Sequence, residues 1–152
     1  MRVAMWKACL AGIAVSAVTL ASLAGAQHSA NSQSAGSPAG DVERGKYLVE
    51  NVAMCGECHT PRNANGDLKY DAWLQGATTW VRPVAPIQPW ADTAPPLAGM
   101  PSFTDQQFAT VLEQGIGPEG ETLRPPMHIY HMHHEDAKAI IAYLKSLPAG
   151  AR

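Results

Sequence analysis

The chain has 152 residues, is 46% hydrophobic and carries a formal net charge of −2 from 11 basic and 13 acidic side chains. This balance, with no basic stripe along the sequence, argues against nucleic acid as a partner. The length and the lack of an internal repeat indicate a single folded domain.

The N-terminal 26 residues have the features of a secretory signal. Arg2 and Lys7 form a basic start, an apolar run follows from Ala8 to Leu23, and Ala24-Gly25-Ala26 offers small residues for cleavage. We expect cleavage after residue 26 and export to the periplasm, which also removes Cys9. The mature chain then has nine basic against 13 acidic side chains, a net charge of −4. The alternative is an uncleaved membrane anchor, although the run is short for a span.

The segment after the signal is polar and of low complexity. Residues 27–40 are rich in Ser, Ala, Gly, Asn and Gln, a composition that buries too little apolar surface to fold. We therefore predict a flexible linker over 27–40, one folded domain over 41–148 and a short tail over 149–152.

A first helix is predicted to start at Asp41, a residue type that favours the N-cap position. Gly45 allows another backbone to approach this helix closely. Its apolar residues lead toward a cysteine motif: Val42, Leu48, Val49 and Val52.

That motif, Cys55-Gly56-Glu57-Cys58-His59, is the C-x-x-C-H signature of covalent c-type haem attachment. Each thiol can add to one vinyl group of a porphyrin, and the next residue's imidazole can bind the iron as proximal ligand. The motif occurs once, which predicts one haem and no structural disulfide. The alternatives are a thiol oxidoreductase that uses Cys55 and Cys58 as a disulfide, and a small disulfide loop that ends in a surface histidine.

From Pro61 to Phe103 the chain carries seven prolines and shows no sustained helical or strand period. Trp73, Trp80 and Trp90 are scattered among them. We predict a long loop that forms a wall of the haem pocket.

A second helix is predicted to begin with a capping box formed by Thr104-Asp105-Gln106-Gln107 and to end at Gly115. Phe108, Val111 and Leu112 lie on one face of that helix.

The last helix has the clearest pattern. Glu135 and Asp136 lie at its start, Lys145 lies near its end, and Pro148 closes it. We expect Tyr143 to meet Gly45 where the first and last helices cross. The apolar stripe repeats at three and four positions: Ala137, Ile140, Ile141, Leu144 and Leu147. No segment shows a convincing strand pattern.

The chain resembles small monohaem bacterial cytochromes c with a histidine and a methionine on the iron. In detail it resembles the cytochrome domains that accompany membrane or periplasmic alcohol, aldehyde and related dehydrogenases. The resemblance implies an all-α cytochrome c fold, with roughly three to five helices around one covalently bound haem and a long proline-rich loop. The matching segments are Gly45-Lys46-Tyr47-Leu48, Cys55 to Arg62, Leu123 to Met127 and Ala139 to Leu144.

The chain departs from that family in three respects. Dehydrogenase cytochrome subunits often carry several haems, whereas this chain has one attachment motif. Many relatives have a proline after the axial methionine, and His128 stands there instead. The proline-rich stretch Val81 to Pro101 carries no familiar motif, and we consider it a candidate partner surface.

Met127 is the expected sixth ligand, because Pro125 and Pro126 stiffen its approach and its distance from His59 along the chain suits the far wall of a pocket. A thioether raises the potential relative to a second imidazole and leaves no open position for oxygen or peroxide. His131 is the best alternative ligand, and the other competitors are His128, His133, His134, Met132 and Met100.

Four histidines lie within seven residues: His128, His131, His133 and His134. Such a run could bind zinc or copper. Local crowding and the helix start at Glu135 favour a solvated cluster that partly caps the helix.

Arginine and indole N–H groups are suited to holding the haem propionates. The candidates are Arg62, Trp73, Trp80, Arg82 and Arg124, each of which could equally be an ordinary surface or packing residue.

These features together predict an exported electron-transfer protein that is not an enzyme. Its expected partners are a dehydrogenase as donor and an oxidase or another cytochrome as acceptor. Membrane association is expected only through an uncleaved signal or through a complex. The alternative is a haem peroxidase or gas-binding protein in which Met127 leaves the iron.

Overall fold

A computed structural model describes residues 37–86 and 89–150. The predicted signal over 1–26 and residues 27–36 of the predicted linker lie outside the described residues. The described chain is mostly helical, in agreement with the expected all-α fold. Its helices are α1 (Pro38–Tyr47), α2 (Gly56–His59), α3 (Asp105–Gln114) and α4 (His134–Ser146), with a π-helical turn over Leu48–Val52 and a 3₁₀ turn over Tyr70–Ala72.

Helix α1 begins before the predicted cap. It starts at Pro38, and the N–H of Asp41 already donates to the Ser37 carbonyl at 2.9 Å. Proline suits the first helical position because that position needs no N–H donor. The prediction that Asp41 caps the helix is therefore wrong. Its carboxylate lies in the first turn instead, where the helix dipole favours a negative charge.

Helices α1 and α4 cross at Gly45. A Cβ at this position would overlap the carbonyl oxygen of Ala139 and lie 2.8 Å from Cβ of Tyr143. The hydroxyl of Tyr143 donates to Oε1 of Glu50 at 2.6 Å, which ties the π-helical turn to α4. The predicted contact between Gly45 and Tyr143 is confirmed.

Helix α3 begins with the predicted capping box. Oγ1 of Thr104 accepts from the N–H of Gln107 at 3.2 Å, and Oε1 of Gln107 accepts from the N–H of Thr104 at 3.0 Å. Gly115 ends the helix at φ 70°, a left-handed conformation that glycine adopts without a steric cost. The predicted start and end of this helix are confirmed, and its apolar face is buried.

Helix α4 contributes much of the core. Its buried residues include four of the five stripe positions, Ala137, Ile140, Ile141 and Leu144, and Leu147 follows the helix and is partly buried. No helix in 37–86 or 89–150 is both long and apolar enough to cross a membrane.

The long loop after α2 is mostly irregular but contains two short strands, β1 (Ala77–Thr78) and β2 (Thr93–Ala94), which pair antiparallel. Two residues are too few to show an alternating pattern, which explains why the sequence did not reveal them. The carbonyl of Leu74 accepts from the N–H groups of Leu97 and Ala98 at 2.9 and 3.2 Å. These bonds fold the loop back onto the core beside α2.

Candidate haem site

A cavity of about 400 Å³ lies between α2, the proline-rich loop, α3 and the segment before α4. Its volume is in the usual range of small-molecule sites, and apolar side chains dominate its wall. Cys55, Cys58, His59 and Met127 all line it, so the four predicted site residues contact one space.

Cys55 is the N-cap residue of α2 and Cys58 lies within that helix, and both line the cavity. Both are free thiols. Burial raises the pKa of Cys55 to about 11 and also raises the pKa of Cys58. A thiol oxidoreductase needs a nucleophilic cysteine with a lowered pKa, so this environment argues against that alternative.

His59 is buried, and Nδ1 lies 2.8 Å from the Pro95 carbonyl oxygen. Since a carbonyl only accepts, Nδ1 carries the proton and Nε2 keeps a free lone pair. Burial lowers the pKa of His59, and the Pro95 contact acts in the opposite direction. The result is a neutral imidazole oriented to bind a metal through Nε2.

Three contacts around the chain from Gly56 to Thr60 hold this turn in place. Oγ1 of Thr60 accepts from the N–H of Leu74 at 3.0 Å, and the His59 carbonyl accepts from the N–H of Gly76 at 2.8 Å. Trp73 packs so closely on Gly56 that a Cβ there would overlap the indole ring. The imidazole is therefore positioned by the protein's own packing.

Met127 comes from a separate segment and is half-buried. Its N–H donates to the Arg124 carbonyl at 3.2 Å, and the Pro125 carbonyl accepts from the N–H of Ala91 at 2.8 Å. The peptide bond between Pro125 and Pro126 is cis. The Ala91 bond attaches the methionine segment, residues 123–132, to the proline-rich loop.

Of the competing ligands, only His128 lines the cavity. Met100 is buried in the hydrophobic core, Met132 packs against that core, and His131 is exposed. Another methionine in the wall, Met54, directly precedes Cys55 and belongs to the same wall as His59.

No protein-family profile matches the chain. It is 35% identical over 120 residues to the fructose dehydrogenase cytochrome subunit of Gluconobacter japonicus. That alignment covers 73% of this chain and 23% of the relative. It is 33% identical over 120 residues to a diheme cytochrome c-type protein of Cereibacter sphaeroides. This second alignment covers 75% of the chain and 38% of the relative. The chain contains a c-type cytochrome domain. The chain is also 30% identical over 119 residues to the cytochrome c subunit of the quinone alcohol dehydrogenase of Gluconobacter oxydans. This alignment covers 72% of the chain and 24% of the relative.

The cytochrome domain therefore spans well under half of the length of these relatives, between 23% and 38%. The resemblance to dehydrogenase cytochrome domains is confirmed. The cavity fits a haem by its own chemistry: it offers two thiols at the start of α2, an imidazole with Nε2 free, and a mostly apolar wall.

Among the five propionate candidates, only Arg124 lines the cavity of the cytochrome domain. Arg62 and Trp80 instead clamp the attachment turn. The indole Nε1 of Trp80 donates to the Glu57 carbonyl at 2.9 Å, and the Arg62 guanidinium lies 4.8 Å from the Trp80 ring centroid. Arg62 also forms an ion pair with the Glu57 carboxylate at 2.5 Å.

The histidines from His128 to His134, at and before the start of α4, do not assemble into a metal site. Nδ1 of His134 lies 2.8 Å from Oε1 of Glu113, and the ring of His128 meets Tyr130 edge-on with centroids 5.9 Å apart. Within 37–86 and 89–150, no three His, Cys, Asp or Glu side chains are grouped so that they could hold a metal ion.

Sequence reasoning missed two residues of this site. Pro95 acts through its carbonyl, and every residue has one, so no side-chain signal points to it. Tyr130 lines the cavity, and its hydroxyl donates to the Ala53 carbonyl at 3.0 Å. Its position three residues after the expected ligand Met127 was a signal in the sequence that Tyr130 lies near the site.

Proposed function

We propose that the protein is an exported electron carrier with a single haem c bound covalently through Cys55 and Cys58. His59 and Met127 are the axial ligands of a low-spin iron. The observation that carries this proposal is that all four side chains, from two distant segments, line one apolar cavity.

The haem supplies an iron that takes up and releases one electron. The protein holds the ligands in both oxidation states. Pro95 fixes the tautomer and orientation of His59, and the apolar wall excludes water from the iron. With haem bound, the Met127 thioether would hold the iron opposite His59, and no substrate bond would be made or broken at this site.

We place the protein in the periplasm, with a dehydrogenase as electron donor and an oxidase or another cytochrome as acceptor. Two observations support this placement. The relatives named above include the cytochrome subunits of a fructose and an alcohol dehydrogenase. The N-terminal sequence has the pattern of a secretory signal.

Redox cycling of the purified, haem-loaded protein tests the proposal. We expect ascorbate to reduce it and ferricyanide to reoxidise it completely over repeated cycles. Peroxide turnover should be negligible, because the sixth position is filled. Rapid peroxide turnover by the unmutated protein would instead support the peroxidase alternative, in which Met127 leaves the iron.

A further inference from the structure

Tyr130 connects the two walls of the cavity. Its hydroxyl donates to the Ala53 carbonyl at 3.0 Å across 77 residues of sequence. Ala53 lies two residues before Cys55, on the segment that attaches the haem, and Tyr130 lies three residues after Met127. The bond therefore joins the attachment segment to the methionine segment.

The Ala53 end of this bond is well fixed. Ala53 ends the π-helical turn, and its N–H donates to the Leu48 carbonyl at 2.8 Å. The next residue, Met54, has φ 48°, and the N–H of Cys55 returns to the Val49 carbonyl at 3.0 Å. Carbonyls at a helix end lack an intrahelical donor, and the Tyr130 hydroxyl satisfies this one.

The Tyr130 end lies on the methionine segment, three residues after Met127. The ring is half-buried, lines the cavity and packs against the hydrophobic core. Directly after it the chain turns at His131, which has φ 52°, and the N–H of Met132 donates to the Leu112 carbonyl at 3.1 Å. Burial raises the pKa of Tyr130 to about 12, so the hydroxyl stays a donor at neutral pH.

We propose that Tyr130 is a positioning residue that holds the methionine segment against the haem-attachment segment and so limits departure of Met127 from the iron. This inference rests on the proposed axial role of Met127. Without the hydroxyl the segment would open more often, and an external ligand would reach the iron more readily.

Cyanide binding to the ferric, haem-loaded full-length protein tests this role. We expect Tyr130→Phe to keep the sulfur-to-iron charge-transfer band but to bind cyanide roughly 3- to 10-fold faster and tighter, the effect of losing one ordinary hydrogen bond. The matched control is Tyr143→Phe. It also removes a hydroxyl from a buried tyrosine, but Tyr143 donates to Glu50 and does not line the cavity. The control should change cyanide binding by less than about twofold.

Thermal unfolding midpoints of both variants separate a local effect from a general loss of stability. Unchanged cyanide binding in Tyr130→Phe, or equal changes in both variants, would overturn the role of Tyr130 while leaving the Met127 assignment intact. An unmutated ferric protein without the sulfur-to-iron band would overturn the axial assignment and the inference together.

Discussion

The two walls that carry the proposed iron ligands are built differently. His59 is 6% exposed, bonds through Nδ1 to Pro95, and sits in a turn that Thr60, Gly76 and Trp73 hold from several sides. Met127 is half-buried, and its segment, residues 123–132, is attached to the rest of the domain by single hydrogen bonds to Ala53, Ala91, Leu112 and Gly115. The histidine wall is part of the core, whereas the methionine wall is a loop placed against it.

This difference indicates where the site can change. Segments with few buried contacts and few long-range hydrogen bonds open at a lower free energy than segments packed in the core. We therefore expect ligand exchange, when it occurs, to begin at Met127 and not at His59.

The largest effect is expected on the attachment wall. Cys55→Ser combined with Cys58→Ser should abolish haem retention, because thioether bonds are what survive denaturation. Protein made with a cytochrome c maturation system and run on a denaturing gel gives the measurement. The unmutated protein should keep its haem there, and extraction of its haem into acidified organic solvent would contradict covalent attachment.

On the opposite wall, Met127→Ala should abolish the long-wavelength sulfur-to-iron band of the ferric protein and open the iron to cyanide and carbon monoxide. His128 is the competing ligand in the wall, so Met127→Ala with His128→Ala should open it further. Met100→Leu and Met132→Leu are matched controls, because neither residue lines the cavity. A band that survives Met127→Ala would assign the sulfur ligand to another methionine.

The packing of the histidine wall can be tested with isosteric variants. Thr60→Val removes the acceptor of the Leu74 N–H in a buried position, which should lower the free energy of unfolding by about 1–3 kcal/mol. Thr110→Val is the control, since its hydroxyl only donates to the Gln106 carbonyl one turn earlier in α3. Thr110→Val should lower the free energy of unfolding by less than about 0.5 kcal/mol. If denaturant unfolding shows the same loss of stability in Thr60→Val and Thr110→Val, the bond between Thr60 and Leu74 does not stabilise the histidine turn beyond an ordinary hydroxyl contact.

The smallest effect is expected from salt. The cavity wall carries charges of both signs, from Glu57, Glu121 and Arg124. Two exposed apolar residues, Val52 and Met54, lie just before Cys55. We expect partner contact to be led by apolar residues. The electron-exchange rate should then change by less than about threefold between roughly 10 mM and 0.5 M salt. A steep loss of rate with salt would reveal a charged docking patch.

The sequence predicted the parts of this site that depend on side-chain identity or helical period. The C-x-x-C-H motif, the capping box at Thr104 and the α4 stripe each need particular residue types at fixed spacing, so each leaves a signal. Main-chain interactions leave none, which is why the Pro95 contact and the two short strands were missed. The propionate candidates Arg62 and Trp80 have the right chemistry, but tertiary packing directs both to Glu57.

Optical spectra of the purified full-length protein in both oxidation states test the central claim, ligation by His59 and Met127. We expect low-spin spectra in both states, a weak long-wavelength sulfur-to-iron band in the ferric protein, and no carbon monoxide binding to the ferrous protein. A high-spin ferric spectrum without that band, or immediate binding of carbon monoxide, would contradict this account.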